Sequence, residues 1–311
     1  MATCLSQLYH EFRHGRKAGY AKFETFPVWN LQLNHPVNLA YEAATVDLAD
    51  VNMIDHYHLA AYGKTAVNYN RDIEIFPVLE TIFKNIYGAC PYKSPTDMGV
   101  NMVGYAICDD AVCCDASRQE VIRRYLNTLC DVKRGDADAG QVQKLDVLMN
   151  ALGIGVNDRA TVPAARLRAE QTGEPAAALE LPDGTIVTGR TSALLGSSCA
   201  ALLNALKRLA RIDDSFTLLS PAVLAPIQKL KTEHLGSINP RLHIDEVLLA
   251  LSICAVTNPL AEMALQQLDR LNGCQAHVTV ILSAADAAAF QKLGIQQTSD
   301  AEYQTPKPIY R

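Results

Sequence analysis

The stretch Ala176-Ala-Ala-Leu-Glu-Leu-Pro-Asp-Gly-Thr-Ile-Val-Thr-Gly189 sets the fold class. Two short runs of strand-forming residues, 176–181 and 185–189, flank Pro182-Asp183-Gly184. Asp-Gly supplies the positive backbone angles that a tight hairpin needs, so the stretch predicts two antiparallel strands. Downstream the apolar period lengthens to that of helices, over 197–210, 221–233, 244–255 and 259–271. A strand over 277–283 and a short helix over 284–293 close the unit. Helices packed on a small sheet make residues 174–311 an α/β sandwich. The tail over 304–311, with two prolines, is expected to fray.

Upstream, 106–173 reads as a helical subdomain. Helices are expected over 109–132, with Val112, Ala116, Ile122, Leu126 and Leu129 at helical spacing, over 141–152, and from 157 or 161 to about 172. Residues 1–105 mix element types. A helix over 1–14 ends at Gly15, a suitable left-handed cap. An extended stretch covers 19–27, and 37–46 is extended or briefly helical. An amphipathic helix over 72–87 aligns Ile75, Leu79, Ile82, Phe83 and Ile86. Pro91, Pro95, Gly99 and Gly104 then mark 90–104 as a long ordered loop. The class as a whole is mixed α/β (α+β).

Bulk properties narrow the function classes. The 311 residues are 49% hydrophobic and 20% charged with a formal charge of −5, so no basic surface dominates, and neither nucleic acid nor membrane is an expected partner. The start lacks the charged and apolar blocks of a signal peptide, and the run 247–256 is about half of a membrane span. Nine cysteines without a C-x-x-C pair suggest free thiols in a reducing cytoplasm. Cys108, Cys113 and Cys114 lie close together near a helix start, but no second cysteine pair complements them as a zinc site.

His10-Glu11-Phe12-Arg13-His14 matches H-E-x-x-H, in which two imidazoles one helical turn apart hold zinc and the glutamate serves as base. Such a site needs a third ligand. Lys17 and Tyr20 stand where a metzincin extension would place Gly and His, and only nine residues precede His10. A zinc metalloprotease is therefore the third-ranked reading, behind a chance match, and zinc is not expected.

Longer motifs point elsewhere. Gly63-Lys-Thr-Ala-Val-Asn-Tyr-Asn-Arg-Asp-Ile-Glu-Ile-Phe-Pro77 is followed by Cys90-Pro-Tyr-Lys-Ser-Pro-Thr-Asp-Met-Gly-Val-Asn101. With Lys22-Phe-Glu-Thr-Phe-Pro27, Glu180-Leu-Pro-Asp-Gly184, Glu233-His-Leu-Gly236 and Asn239-Pro-Arg-Leu-His243, they make the whole chain closely resemble the bacterial uncharacterised protein family 0371. The resemblance implies an N-terminal phosphate-loop-like α/β region whose strand and Gly-rich loop precede Met1, so that 1–105 is its remainder and the chain is N-terminally truncated. The first helix would then be the phosphate-loop helix, with Thr3 near phosphate or Mg²⁺. The domain 174–311 resembles the cytidine-deaminase type of sandwich. However, Cys199-Ala200-Ala201 lacks the catalytic glutamate and Pro259-Leu260-Ala261-Glu262 lacks the paired cysteines, so deamination is not implied.

Polar residues concentrate at 68–72 and 92–97. Lys22, Asn70, Arg71, Lys93 and Asn101, with Thr3, are the candidate phosphate or ligand-binding residues. Asp72 and Asp97 are the candidate bases or Mg²⁺ holders, and no metal site is assigned. The competing reading makes 70–72 a helix cap and 94–97 a turn. The leading expectation is a cytoplasmic protein that binds a nucleotide or other phosphate-bearing small molecule, with ATP or another nucleotide and Mg²⁺ as cofactor at full length. The alternative is a non-catalytic homo-oligomerisation or binding module.

Overall fold

The computed structural model describes residues 2–23 and 26–304. The expected start at Met1, the middle of the 19–27 strand (Glu24 and Thr25) and the tail beyond Gln304 lie outside them. The chain forms two compact units, one of residues 1–124 and 140–154, the other of 125–139 and 155–311. The helical stretch 106–173 is thereby divided between the two.

In the first unit, α1 (Ala2–Arg13) is followed by the short strand β1 (Lys22–Phe23) and by α2 (Pro36–Ala44). Strand β2 (Asn52–Ile54), α3 (His56–Tyr62) and β3 (Val67–Tyr69) come next. The long helix α4 (Asn70–Tyr87), the single turn α5 (Pro95–Met98) and β4 (Gly99–Val100) complete the series. Strand β1 pairs in parallel with β4, Lys22 opposite Gly99, and β2 pairs antiparallel with β3, Asn52 opposite Tyr69. Leu8 of α1 is buried with Phe76, Leu79 and Phe83 of α4 and Met98 of α5, so the buried face of α4 is Ile73, Phe76, Leu79 and Phe83, while Ile75 of the expected stripe is exposed. Helix α4 stops at Gly88, whose φ of 78° makes it a left-handed cap.

Helix α6 (Asp110–Arg134) runs from the first unit into the second, and α7 (Ala139–Leu152) lies almost wholly in the first. The second unit adds α8 (Thr161–Thr172), β5 (Ala176–Glu180), β6 (Ile186–Arg190), α9 (Ser197–Leu209) and α10 (Pro221–Lys229). A π-helical turn, Leu230–His234, extends α10. Then follow α11 (Ile244–Ala255), α12 (Pro259–Leu265), β7 (Gln275–Val278), α13 (Ala284–Lys292) and β8 (Gln296–Ser299).

The hairpin is present as expected, with Ala178 opposite Thr188. Its sheet has four strands in the order β6-β5-β7-β8, antiparallel except for the parallel pair β7-β8. Leu179 and Ala276 join Leu202, Leu206, Val247, Leu251 and Phe290 in one core. Strand alternation turns the fully buried Ala176 and Ala178 to the other face, and α8 packs against β5, β6 and β7. Gly189 lets α9 approach closely, because a Cβ there would stand 2.2 Å from the backbone nitrogen of Ala201.

Several elements depart from the sequence reading. The expected loop 90–104 contains α5 and β4, because Ser94 caps a turn through Asp97 N at 3.1 Å and Pro95 presets its first residue. Residues 37–46 resolve as helix. The strand expected over 277–283 ends at Val278, and β8 carries no apolar alternation in Gln-Gln-Thr-Ser. Among the described residues no helix is long and apolar enough to cross a membrane.

Candidate functional site

The sequence-selected segments 68–72 and 92–97, with Asn101, meet in the first unit around α5 and β4. On one side, Tyr20, Lys22, Asp72, Ile75, Leu79, Pro95 and Met98 line a hollow of about 20 Å³. On the other, Pro27, Trp29, Val67, Asn68, Thr96, Gly99 and Asn101 line one of about 10 Å³. Helix α5 borders both, with Pro95 and Met98 on the first and Thr96 on the second. Each hollow as it stands takes no more than a water-sized group.

Lys22 and Asp72 close the first hollow, with Nζ 2.6 Å from Oδ2. Behind them the lining is apolar. Tyr92 ties the neighbouring backbone down: its hydroxyl accepts from Tyr20 N at 2.8 Å and donates to Tyr20 O at 2.5 Å.

Beneath the second hollow lies a buried polar knot. Asp55, fully buried, accepts from His58 N at 3.0 Å, from Thr96 N at 3.1 Å and from Thr96 Oγ1 at 2.6 Å. One carboxylate thus caps α3 and holds α5 against it. Ser94 Oγ meets His58 Nδ1 at 3.0 Å. Ser94 is fully buried, so the pair is a packing contact and not a presented nucleophile. Trp29 Nε1 donates to Asn101 O, and Asn101 Nδ2 donates to Pro27 O at 2.5 Å. Asn101 Oδ1, lining the hollow, has no hydrogen-bond partner among the described residues.

The other sequence candidates are placed differently. Arg71 is committed to the buried Asp50, with Nε 2.6 Å from Oδ1 and Nη2 2.7 Å from Oδ2. Asn70 Oδ1 accepts from Val51 N at 3.1 Å and closes the β2–β3 ladder. Asp97 accepts from Tyr62 OH at 2.8 Å and from Lys93 N at 2.9 Å, and that hydrogen bond raises the Tyr62 pKa. Exposed Lys93 holds its ammonium 5.6 Å from the centre of the Tyr62 ring. Thr3 is exposed on α1 and outside both hollows.

In the zinc-protease pattern the His14 ring turns back onto the backbone. Helix α1 ends at Arg13, so His14 lies beyond it, with Nδ1 2.8 Å from His10 O. Glu11 is engaged by Gln7 at 2.8 Å and Arg16 at 3.4 Å.

Two further polar groups lie in the second unit. Ser283, His243 and Asp286 have the composition of a catalytic triad but not its wiring. Ser283 Oγ donates to Asp286 Oδ2 at 2.9 Å, and His243 Nδ1 meets the same oxygen at 3.2 Å. Asp286 Oδ1 accepts from Ile244 N at 2.9 Å, so the set locks the start of α11 to α13. A hollow of about 300 Å³ is an open groove lined by Glu180, Leu181, Pro182, Asn272, Gly273, Cys274 and Gln275. Cys199 is fully buried and its thiol donates to Leu242 O at 3.2 Å. Burial pushes its pKa well up.

The distant pairings were beyond sequence reasoning. Asp55, His58 and Trp29 carry no motif, and their role follows only from burial.

Comparison with known proteins places these features in a family. The domain of unknown function DUF1846, N-terminal, matches residues 1–153, and its C-terminal counterpart matches 157–310. A UPF0371 protein of Corynebacterium urealyticum is 56% identical over 311 residues, covering 100% of this chain and 62% of its own length. A UPF0371 protein of Streptococcus thermophilus is 58% identical over 311 residues, covering 100% and 63%, respectively. One from Corynebacterium diphtheriae is 57% identical over 307 residues, covering 99% and 62%. The chain thus spans under two thirds of the length of these relatives. It belongs to the UPF0371 family, whose two DUF1846 domains have no assigned function.

Proposed function

We propose that the first unit binds a small molecule bearing a phosphate or similar anionic group, with Lys22 as its charge partner. The observation that carries this reading is the Lys22–Asp72 pair closing a hollow floored by Ile75, Leu79 and Met98. An apolar floor with one convergent charged pair is the usual chemistry of a small-molecule site. The Lys22 side chain is 37% exposed, so its ion pair contributes only about 0–1 kcal/mol, and an incoming anion can take Asp72's place. A released Asp72 carboxylate then stands beside the ligand, placed to hold Mg²⁺ or accept a proton. A nucleotide fits this reading as one phosphate-bearing ligand among several, with its phosphate at the Lys22 ammonium and its base outside the hollow of about 20 Å³.

The test is calorimetry with inorganic phosphate, nucleotides and sugar phosphates, with and without Mg²⁺. A ligand bound by the wild type is expected to be lost in Lys22→Gln and held more tightly in Asp72→Asn, which removes the competing carboxylate. Failure of every phosphate compound to bind, or unchanged binding in Lys22→Gln, defeats the reading.

A second reading, self-association, is favoured by α11 of the other unit. Leu249, Ile253 and Val256 stand 66%, 70% and 83% exposed at the spacing of one helical face. In that reading the deaminase-like order of hairpin β5–β6 then α9 serves assembly, since buried Cys199 offers no chemistry. Light scattering tests it: a dimer that Ile253→Glu dissociates supports it, and a monomer at all concentrations rejects it.

A further inference from the structure

Cys114 does find complementary ligands, but they are not cysteines. His35, the residue before α2, brings Nε2 to 3.0 Å from Asp110 Oδ1 and 3.7 Å from Cys114 Sγ. Cys114 Sγ is 3.6 Å from Asp110 Oδ2. All three residues belong to the first unit.

Two features hold the group in place. Asp110 and Cys114 stand one turn apart on α6, whose start is pinned by Asp109 Oδ1 accepting from Val112 N at 3.1 Å. At the far end of α2, Arg124 of the same helix donates to Ala44 O at 3.2 Å, so α2 is tied to α6 at both ends. The three atoms therefore converge because two fixed helices present them.

Their separations are those of ligands around a single ion. With metal–ligand bonds of about 2.0–2.3 Å, the edges of a tetrahedron are about 3.3–3.8 Å. The Nε2–Sγ edge of 3.7 Å already falls in that range, and one ligand atom from each of the three residues lies within 4.8 Å of the other two. The donor set is one imidazole, one carboxylate and one thiol, which suits a borderline-soft divalent ion and not Mg²⁺ or Ca²⁺. His35 is 15% exposed and Asp110 62%, so the group has a sheltered side and an open one.

We propose that His35 Nε2, the Asp110 carboxylate and Cys114 Sγ bind one zinc-class divalent ion, leaving its fourth position open to solvent. Binding releases the Cys114 thiol proton to solvent. The imidazole stays neutral by carrying its proton on Nδ1 instead of Nε2, which ends the 3.3 Å hydrogen bond that Nδ1 accepts from Val37 N. An open fourth position makes this the geometry of a site that can take up water or a ligand, unlike a closed structural zinc. The site stands independently of the anion site at Lys22.

Cobalt(II) titration of the metal-stripped chain, kept reduced, tests the proposal. One equivalent is expected to give thiolate-to-cobalt charge transfer and the intense visible bands of four-coordinate cobalt, both bleached by zinc. Outer-shell partners alone change metal affinity roughly 10–100-fold, so losing a ligand is expected to weaken binding on the order of a hundredfold or more. Cys114→Ser is expected to abolish charge transfer. His35→Gln and Asp110→Asn are expected to weaken binding, and Cys113→Ser to leave it intact. Zinc should raise the melting temperature of the wild type and of Cys113→Ser only. Should Cys114→Ser fail to fold, exposed Asp110→Asn and His35→Gln still decide the matter. Pale six-coordinate cobalt in the wild type, or undiminished affinity in the folded ligand variants, overturns the site.

Discussion

Arg166 grips Asp300 with two nitrogens, Nη2 at 2.6 Å from Oδ1 and Nε at 3.2 Å from Oδ2. On the other side of the same carboxylate, fully buried His277 places Nε2 3.4 Å from Oδ1. Burial lowers the His277 pKa, so its ring is neutral at neutral pH. Thr298 Oγ1 lies 2.9 Å from Nδ1 and donates to Ala276 O at 3.1 Å.

Burial alone would push the Asp300 pKa up, but the bonds from His277 and Arg166 hold it well below the usual carboxylate range. Its folded pKa is thus depressed. The stabilisation is complete above the unfolded value of about 3.9 and is lost as pH falls through the folded value. Asp300→Asn should cost about 2 kcal/mol at neutral pH. In urea unfolding, the gap to wild type should be flat above about pH 5 and shrink below about pH 4. A gap that does not depend on pH would remove the ion pair as its source.

His243 titrates with the opposite sign. Its hydrogen bond to Asp286 raises the imidazole pKa against the opposing effect of burial. The resulting stability is full below the unfolded value of about 6.5 and fades as pH climbs through the higher folded value. The stability difference between wild type and His243→Gln should therefore be larger at about pH 6 than at about pH 9. Chemical denaturation at the two pH values measures it, and NMR titration of the ring locates the transition.

Asp55 supports the candidate site from below. Removing its carboxylate in Asp55→Ala strands His58 N, Thr96 N and the Thr96 hydroxyl in a dry interior. A loss of roughly 2–4 kcal/mol is expected, read as a lower urea midpoint. Asp55→Asn retains the shape and one acceptor, and should recover part of the loss.

Gly189→Ala tests the contact between β6 and α9. The new methyl would meet Ala201 N at 2.2 Å and the Ala200 carbonyl carbon at 2.6 Å, both backbone atoms of a buried helix. Destabilisation of about 1–3 kcal/mol or more is expected by thermal or chemical unfolding. A neutral substitution would mean that α9 lies farther from the sheet than described.

The readable elements were those coded by local pattern. Asp183-Gly184 marks the hairpin, and 3.6-residue spacing marks α4, α6, α9 and α11, the last with its boundaries 244–255 as expected. Strand β8 was missed because Gln296-Gln-Thr-Ser299 owes its place to pairing with β7 and not to apolar alternation. The short strands β2 and β3, of three residues each, and helix α3, of seven, were also missed, because such short elements are too brief to establish a period.

By itself the sequence determined the family, the mixed class and the segments 68–72 and 92–97 that border the candidate site, because turn chemistry, helical period and long motifs are properties of neighbouring residues. Tertiary structure alone decided what those residues do. Lys22 meets Asp72 across 50 positions, and Arg71 is drawn away to Asp50. His35 reaches Asp110 and Cys114 across 75 and 79 positions. Such pairings depend on closing long loops, an entropic cost met by burying the cores around them, and no stretch of neighbouring residues carries their signal.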